Sequence, residues 1–449
     1  MLLAAVWKRL LAAGIVVAVI WAAVLWVAPS TPSTTPAEPP ITVTGSAVSA
    51  PSSNTGLLRA VVTSGSPAPG GGYFDRFDVP SQPVVAPVNA RDQVAFYATV
   101  LRAPAREGIF LADAGHITKL AAFGDSLPGG GTLADFGTHP LPVLNAAGHV
   151  AFAAGIAGGR GTEGVFLVGG SGLQSIALAG DDAPGMPGAV LTAFNTPALN
   201  DNDEVTFVAT VRRGRDAVDV LYFWNGRRLQ RVIAEGERLL RVGGTMDKIG
   251  EPALNNSGII AFPATILKGP VLGGIFVAGA RDLRLLVGAG GQTANGAMIQ
   301  RFSEHLGLDE EGDIAFGAYV SQNGKMQEAV LGITTDDPIE IAVEGGAAPG
   351  GGRYAGFGPW PTTGSSGATA FVAALDGAAG PLGVFLGVPG DIKRAAIAGE
   401  RISQTEILGH FALNAVAAAG PAGVVTFATI GQERGERTAI YCRCPARAP

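Results

Sequence analysis

Cysteine is nearly absent from this chain of 449 residues: the two that occur, Cys442 and Cys444, both lie at its C-terminal end. A framework of disulfide bonds therefore does not hold the fold together, although this pair could form a short-range disulfide, contribute to a metal site or stay free. Only 15% of the residues are charged, and no cluster of lysine and arginine follows a helix or a groove. A nucleic-acid partner is accordingly not expected.

Recognisable catalytic motifs are also missing. The sequence contains no G-x-S-x-G, no H-E-x-x-H and no Walker loop, which would indicate a serine hydrolase, a zinc protease or a nucleotide-binding protein. The glycine triplets at 70–72, 129–131 and 350–352 do not open helices, so they are not phosphate cradles. Five histidines are too few for a metal site in every repeat, and no metal or other cofactor is predicted.

Glycine and proline, by contrast, are abundant, with 66 and 30 residues, while 47% of the chain is hydrophobic. Such a chain has enough apolar side chains for a large core and enough turn residues to interrupt it often. This combination favours an all-β fold built of many short strands.

Residues 10–28 form an uncharged apolar run, which as a helix would cover about 28 Å and cross a bilayer. Lys8 and Arg9 precede it, so the positive-inside rule predicts a cytoplasmic tail at 1–9, a single-pass transmembrane signal anchor at 10–28 and an extracytoplasmic remainder. A cleaved signal peptide is the alternative, but its apolar region would be unusually long, and Trp26 occupies a position at which the A-x-A cleavage motif requires a small residue. Residues 29–56 are rich in proline, serine and threonine, which is typical of a stalk.

One short phrase ending in phenylalanine returns seven times, at intervals of 54 to 56 residues. A repeat of this length is typical of β-propellers and related arrays, in which each unit stacks on its neighbours to bury a shared core. The key phenylalanines are Phe96, Phe152, Phe207, Phe262, Phe316, Phe371 and Phe427.

Each repeat contains signals for four strands. Asparagine, aspartate or glycine stands seven and four residues before the key phenylalanine, which predicts a tight hairpin turn. A second apolar strand follows, and the residues that stand fourteen positions after the key phenylalanines are Phe110, Phe166, Leu221, Phe276, Val330, Phe385 and Tyr441. A third strand, a Gly/acid/Pro loop and a further strand, such as residues 196–200, complete the unit. Four strands per repeat predict a seven-bladed β-propeller over residues 57–444, with a tail at 445–449.

The two ends of the repeat region predict how the ring closes. If each blade begins at its innermost strand, just before the hairpin turn, the seventh blade has only three strands. Residues 57–64 form one extra strand at the front. We therefore expect this strand to pair with residues 438–442 and complete the seventh blade, which leaves no free edge.

The repeat resembles the NxxGxxAF tandem-repeat family of anchored bacterial surface proteins. The phrase reads NAAGHVAF from Asn145 and NNSGIIAF from Asn255, with more degenerate copies elsewhere. The resemblance covers residues 57–444 and implies an anchored repeat region with structural motif residues and no activity to carry over. A looser similarity to the TolB-type propeller repeat, in which a turn also precedes an Ile-Ala-Phe strand, concerns the fold alone.

Acidic residues recur in the Gly/acid/Pro loops, at Asp125, Asp181, Glu237 and Glu400. If these loops gather at one end of the ring, the carboxylates could bind calcium, which prefers six to eight oxygen ligands. Each loop usually offers only one carboxylate, however, and three repeats offer none. A local role in the turns is therefore the favoured interpretation.

A second set of polar residues is predicted near the central channel. Thr196, Glu251, His305 and Trp360 stand eleven residues before four successive key phenylalanines, and Glu304 precedes His305. On the innermost strands these five residues could form a binding patch for a sugar or a peptide. The alternative is that they pack between blades with backbone partners.

Two functions follow as expectations. The first is a membrane-anchored binding or assembly scaffold for a protein or glycan. The second is an extracytoplasmic glycan-active hydrolase or lyase that uses Glu251, Glu304 and His305 in the propeller channel, for which a pair of carboxylates about 5–10 Å apart would be needed. The absence of catalytic motifs favours the scaffold.

Overall fold

The computed structural model describes residues 57–444 apart from 79–84, 137–140, 280–281, 335–336, 405, 413 and 432–437. The predicted anchor at 10–28, the stalk at 29–56 and the tail at 445–449 lie outside these residues. None of the described residues belongs to a helix that is long and apolar enough to cross a membrane.

The described residues form seven antiparallel sheets, which are the blades of a seven-bladed β-propeller. The predicted all-β architecture with four-stranded blades is thereby confirmed. The chain begins with β1 (Leu57–Thr63). Blade 1 comprises β2 (Tyr73–Phe74), β3 (Val94–Leu101), β4 (Glu107–Asp113) and β5 (His116–Ala122), and blade 2 comprises β6 (Thr132–Asp135), β7 (Val143–Leu144), β8 (Val150–Ala157), β9 (Glu163–Gly169) and β10 (Gly172–Leu178). Blade 3 comprises β11 (Val190–Phe194), β12 (Ala198–Leu199), β13 (Val205–Arg213), β14 (Asp216–Trp224) and β15 (Leu229–Ala234).

The remaining four blades follow in chain order. Blade 4 comprises β16 (Thr245–Ile249), β17 (Ala253–Leu254), β18 (Ile260–Leu267), β19 (Gly273–Ala278) and β20 (Leu283–Gly288), and blade 5 comprises β21 (Met298–Leu308), β22 (Ile314–Gln322), β23 (Lys325–Ile333) and β24 (Ile339–Val343). Blade 6 comprises β25 (Arg353–Phe357), β26 (Thr362–Thr363), β27 (Thr369–Asp376), β28 (Leu382–Val388) and β29 (Asp391–Ile397). Blade 7 contains β30 (Ala418–Ala419), the 3₁₀ turn Pro421–Gly423, β31 (Val425–Thr429) and β32 (Ala439–Cys444).

The ring closes as the strand count predicts. β1 pairs with β32 and becomes the outermost strand of blade 7, in the order β1-β32-β31-β30. Ala60 lies opposite Tyr441, and Val62 lies opposite Ile440. In β32 itself, a disulfide joins Cys442 and Cys444, which decides between the alternatives left open by the sequence.

The innermost strand differs from the prediction in most blades. Residues 196–200 were expected to form this strand in blade 3, but β11 and β12 both pair with β13 and share the role. Between them, residues 195–197 leave the ladder. The physical reason is a bulge, which bends a strand and redirects the side chains within it. Blades 2, 4 and 6 carry the same two-piece inner strand.

The key phenylalanines pair across strands with the second aromatic of their repeat. Phe152 lies opposite Phe166 and stacks on it with ring centres 5.6 Å apart. In blades 3 and 5 the residue opposite the key phenylalanine stands one position later in the repeat than in blade 2, at Tyr222 and Leu331. In these two blades the hairpin closes through a two-residue turn, which shifts the register by one.

The two ends of the ring carry different loops. The hairpin turns that begin with asparagine, such as residues 145–148, lie at one end, here termed the Asn-turn face. The turns between the second and third strands and the Gly/acid/Pro loops lie at the other end, here termed the loop face. Leu57 lies at the Asn-turn face, because it pairs with Cys444 at the end of β32.

Buried asparagines link the blades at the Asn-turn face. The Oδ1 atom of each accepts backbone N–H groups from its own turn. The Nδ2 atom donates to the backbone carbonyl of the equivalent residue in the next blade, at 2.9 to 3.2 Å, in Asn89, Asn145, Asn200 and Asn255. One amide therefore shapes its own turn and fastens the neighbouring blade.

The belt of asparagines ends in blade 5, where Asp309 takes the equivalent position. Its Oδ1 accepts the N–H of Asp313 as an asparagine would, but a carboxylate has no N–H to donate across the seam. Burial raises the pKa of Asp309, with a further rise from Glu311. Burial, followed by the charges of Asp309 and Glu311, raises the pKa of Asp313 to about 6.

These shifts predict that Asp309→Asn stabilises the ring, mainly above pH 6. Because both carboxyls titrate above their unfolded range, the folded state binds more protons at mildly acidic pH, and stability falls as pH rises toward about 6. Replacing Asp309 by asparagine supplies the missing donor and removes one negative charge from beside Asp313 and Glu311. We expect a gain of about 1 kcal/mol at pH 7.5, after allowance for solvent screening, and a smaller gain at pH 5.

Denaturant unfolding of the full chain at both pH values measures this gain. Asn200→Asp is the matched control, because it places a new carboxylate beside Glu204, which now accepts from the Asn200 amide at 2.8 Å. That control should lose stability, and lose more at pH 7.5 than at pH 5. An equal effect of Asp309→Asn at both pH values would contradict the argument.

Candidate binding site on the inner strands

Seven equivalent positions lie on or beside the innermost strands, eleven residues before each key phenylalanine. The side chains there differ around the ring. Blades 7, 1 and 2 carry the aliphatic residues Val416, Val85 and Leu141, whereas blades 3 to 6 carry Thr196, Glu251, His305 and Trp360. The polar and aromatic residues thus belong to one side of the ring.

The bulges of the inner strands position these residues. Glu251 lies between β16 and β17, and Trp360 lies between β25 and β26. His305 lies within β21, where the pairing with β22 shifts between Phe302 and Leu306. Because a bulge releases residues from the ladder, their side chains turn away from the regular alternation of the strand.

Glu251, His305 and Trp360, from three successive blades, meet in the structure. The imidazole of His305 stacks on the indole of Trp360, with ring centres 4.0 Å apart and planes 6° from parallel. Nδ1 of His305 lies 3.5 Å from Oε2 of Glu251, an ion-pair distance when the imidazole is protonated. A protonated imidazole on an indole face also gains cation–π attraction.

The other two predicted residues are not part of this contact. The Glu304 side chain is exposed, and only its backbone carbonyl reaches the group, by accepting the N–H of Glu251 at 3.1 Å. Thr196 is 3% exposed, and no hydrogen bond joins it to the other residues of the patch in the described part of the chain. The structure therefore assembles three of the five residues.

Several polar atoms on the inner strands of blades 3 to 6 have no hydrogen-bond partner among the described residues. Oε2 of Glu251 and Nδ1 of His305 are buried but not aligned for a hydrogen bond with each other, and the hydroxyls of Thr196 and Thr363 are buried without a partner. Thr363 was not a predicted site residue, because threonine is common in strands. Unpaired buried polar atoms cost about 1–3 kcal/mol each, so they lower the stability of the ring.

The acidic residues of the Gly/acid/Pro loops serve their own turns. Oδ2 of Asp125 accepts the N–H of Ala122 at 2.8 Å, and Oδ1 accepts from Lys119 at 2.6 Å. Asp181 repeats this arrangement with the N–H of Leu178 and with Arg160. Glu237 and Glu400 form ion pairs with arginines six residues earlier. Among the described residues no group of three metal-ligating side chains converges.

A comparison with known protein families identifies the family of this chain. The sequence profile of DUF7453, a family of unknown function, matches residues 34–382. The chain belongs to this family. The matched part of the DUF7453 sequence includes Glu251, His305 and Trp360 and ends in blade 6, before strands β30, β31 and β32 of blade 7. A search of curated proteins found no significant match.

Solved structures similar to this DUF7453 protein include several with low sequence identity. An oligogalacturonate lyase in complex with manganese is 11% identical, with a TM-score of 0.46 over 86% of this chain and 97% of that chain. The β-propeller domain of the Trilobed protease from Pyrococcus furiosus is 10% identical, with a TM-score of 0.46 over 82% of this chain and 99% of that chain. A puromycin-hydrolyzing peptidase from Mycobacterium tuberculosis is 14% identical, with a TM-score of 0.44 over 82% and 53%.

Proposed function

We propose that this protein is a membrane-anchored, extracytoplasmic β-propeller that acts as a binding or assembly scaffold for a protein or glycan. The apolar run at 10–28, with Lys8 and Arg9 before it, supports the anchor and its orientation. A closed ring of packed blades supports the scaffold, because it holds side chains from several blades in fixed positions.

The contact of Glu251, His305 and Trp360 is the observation that carries the binding function. A half-buried indole, a carboxylate and an imidazole on rigid strands form the usual composition of a ligand site, an apolar platform with a few fixed polar groups. The same positions in blades 7, 1 and 2 are aliphatic. A ligand would therefore bind to one side of the ring, with its apolar part on Trp360 and its polar groups toward Glu251 and His305.

An enzyme is the second candidate, and the Glu251–His305 contact favours it. A carboxylate beside an imidazole can orient a general base. The nearby hydroxyl of Ser303 is already engaged, since it donates to the carbonyl of His305 at 2.8 Å and accepts the N–H of Gly317 at 3.1 Å. The second carboxylate predicted for a glycan-active enzyme, Glu304, has an exposed side chain outside the Glu251–His305 contact, which favours binding over catalysis.

Trp360→Ala tests the site directly. Ligands captured by the full chain from an envelope extract are identified by mass spectrometry, and the affinity of a purified ligand is then measured for each variant. We expect Trp360→Ala to weaken binding by about 2 kcal/mol, or roughly 30-fold, because buried aromatic anchors dominate binding energy.

Tyr73→Ala is the control, because Tyr73 is an exposed aromatic residue at the loop face. It should bind as the unmodified chain does. Equal affinity of Trp360→Ala and the unmodified chain would refute the site. Turnover of a glycan that Glu251→Gln abolishes, with binding retained, would instead establish the enzyme.

A further inference from the structure

Three loops of blades 3 and 4 meet at the loop face. The first is the β13–β14 hairpin, and the second is the loop from 235 to 244. They are joined at Glu235, whose N–H donates to the carbonyl of Asp219 at 2.9 Å and whose Oε2 accepts the N–H of Asp219 at 3.0 Å. The third is the β18–β19 turn, which lies against the second because Thr245 pairs with Leu267.

Glycine permits the close packing of the second and third loops. A Cβ atom added to Gly244 would lie 2.6 Å from the carbonyl oxygen of Leu267 and 2.7 Å from Cα of Gly269. Gly244 also has a positive φ of 80°, which strains other residues. The three loops therefore form one continuous surface, here termed the blade 3–4 surface, of residues 212–216, 235–244 and 267–272.

Positive charge is concentrated on the blade 3–4 surface. Five of its cations are exposed and form no ion pair with any described residue, namely Arg212, Arg213, Arg215, Arg238 and Lys268. Two of the acidic side chains nearby are paired, Glu235 with Lys248 and Glu237 with Arg231. Asp216 on the surface, and Asp219 and Asp247 close to Lys248, form no ion pair with a described residue. The unpaired cations outnumber these unpaired carboxylates, so the surface carries an excess of positive charge in a protein whose net charge is −6.

Aliphatic side chains protrude among these cations. Leu240 is 89% exposed, Leu272 is 77% exposed and Leu267 is 52% exposed. Leu240 follows the buried Leu239 and precedes Arg241, which is paired with Asp282 at 2.7 Å. A side chain that is 89% exposed stands out from its loop and does not line a groove.

We propose that the blade 3–4 surface binds the surface of an anionic lipid bilayer. Unpaired arginines and lysine would contact phosphate headgroups, and the protruding leucines would enter the boundary between headgroups and acyl chains. Long cationic side chains suit this depth, because their aliphatic stems lie in the apolar region while the charges reach the headgroups. The surface has no aromatic residues for stacking bases, which disfavours a nucleic acid.

The proposal does not depend on the anchor, because the charges and leucines belong to the ring itself.

A fluorescent probe on the surface tests the proposal. Leu240→Cys in the full chain is labelled with an environment-sensitive dye, while Cys442 and Cys444 stay protected as a buried disulfide. The labelled chain is combined with phosphatidylcholine vesicles or with vesicles containing about 30% phosphatidylglycerol. We expect a blue shift of the probe only with the anionic vesicles, reversed by about 0.5 M salt because the charges are then screened.

Charge variants identify the arginines responsible. The triple variant Arg212→Gln, Arg213→Gln and Arg215→Gln should bind anionic vesicles with an affinity roughly 100-fold lower, because each arginine near a charged bilayer contributes about fivefold to the affinity. Arg227→Gln with Arg228→Gln is the matched control, because both arginines are exposed on the same blade at the Asn-turn face. This double variant should respond like the unmodified surface.

The outcomes separate the surface from the anchor. An unchanged probe spectrum with anionic vesicles overturns the lipid surface, even if the chain still floats with vesicles at high salt through its anchor. If the double variant of Arg227 and Arg228 weakens the blue shift as much as the triple variant does, the attraction is non-specific, and this result also overturns the lipid surface. A salt-sensitive blue shift without flotation at high salt would support the surface and refute the anchor.

Discussion

Removal of residues 57–64 should destabilise the propeller and cause it to self-associate. β1 is the outermost strand of blade 7 and covers the edge of β32 from Ala439 to Cys444. Without it, β32 would expose unpaired backbone groups, and Val62, which is 4% exposed, would be lost from the core. We expect a loss of at least about 3 kcal/mol, the free energy of burying one or two aliphatic side chains.

Denaturant unfolding of the full-length variant measures this loss, and light scattering detects dimers or larger species formed through the free edge. Deletion of residues 31–50 is the control, because it shortens the chain by more residues without removing a described strand. The control should unfold like the unmodified chain. A deletion of 57–64 that remains monomeric and equally stable would show that β1 does not close the ring.

Phe152→Ala and Phe262→Ala should each cost about 3–5 kcal/mol. Both side chains are fully buried. Phe152 belongs to a cluster that also contains Tyr97 and Ile109 of blade 1, and Phe262 packs with Val208 of blade 3. Each phenylalanine thus fills space between two blades, and its truncation would leave a cavity that rigid sheets cannot collapse to fill.

Urea unfolding compares these variants with Phe152→Leu, which keeps most of the volume and should cost less than about 1.5 kcal/mol. A loss below about 1 kcal/mol in either alanine variant would be incompatible with a core position. Similar losses from Phe152 and Phe262 are expected, because the two residues hold equivalent positions in different blades.

The spacing of the key phenylalanines was sufficient to predict the number of blades and the closing strand. These features depend on chain length per repeat and on hydrophobic pattern, both of which are present in the sequence. The residues opposite Phe207 and Phe316 could not be told from the spacing, because a two-residue turn changes the register without changing the hydrophobic pattern. The two-piece inner strands were missed for a similar reason, since a bulge adds residues that carry no distinct signal.

The candidate site was only partly predictable. Counting back from each phenylalanine located Glu251, His305 and Trp360 on the inner strands, but their mutual contact depends on bulges and on the distance between blades. The same count also gave Thr196, and Glu304 was named because it precedes His305; the side chains of these two residues do not join the contact. The asparagine belt had a visible signal in Asn89, Asn145, Asn200 and Asn255, but a turn explained those residues without any link to the next blade.

The pairing of β1 with β32 has a consequence for the time at which the protein becomes complete. During synthesis the first strand of the ring emerges more than 380 residues before its partner, since Leu57 pairs with Cys444. Blades 1 to 6 can form in turn from local hairpins, whereas the pairing of β1 with β32 must wait for the last strand. A nascent or truncated chain therefore carries an open blade until its last residues arrive, and any quality control that recognises exposed strand edges can distinguish unfinished molecules from finished ones.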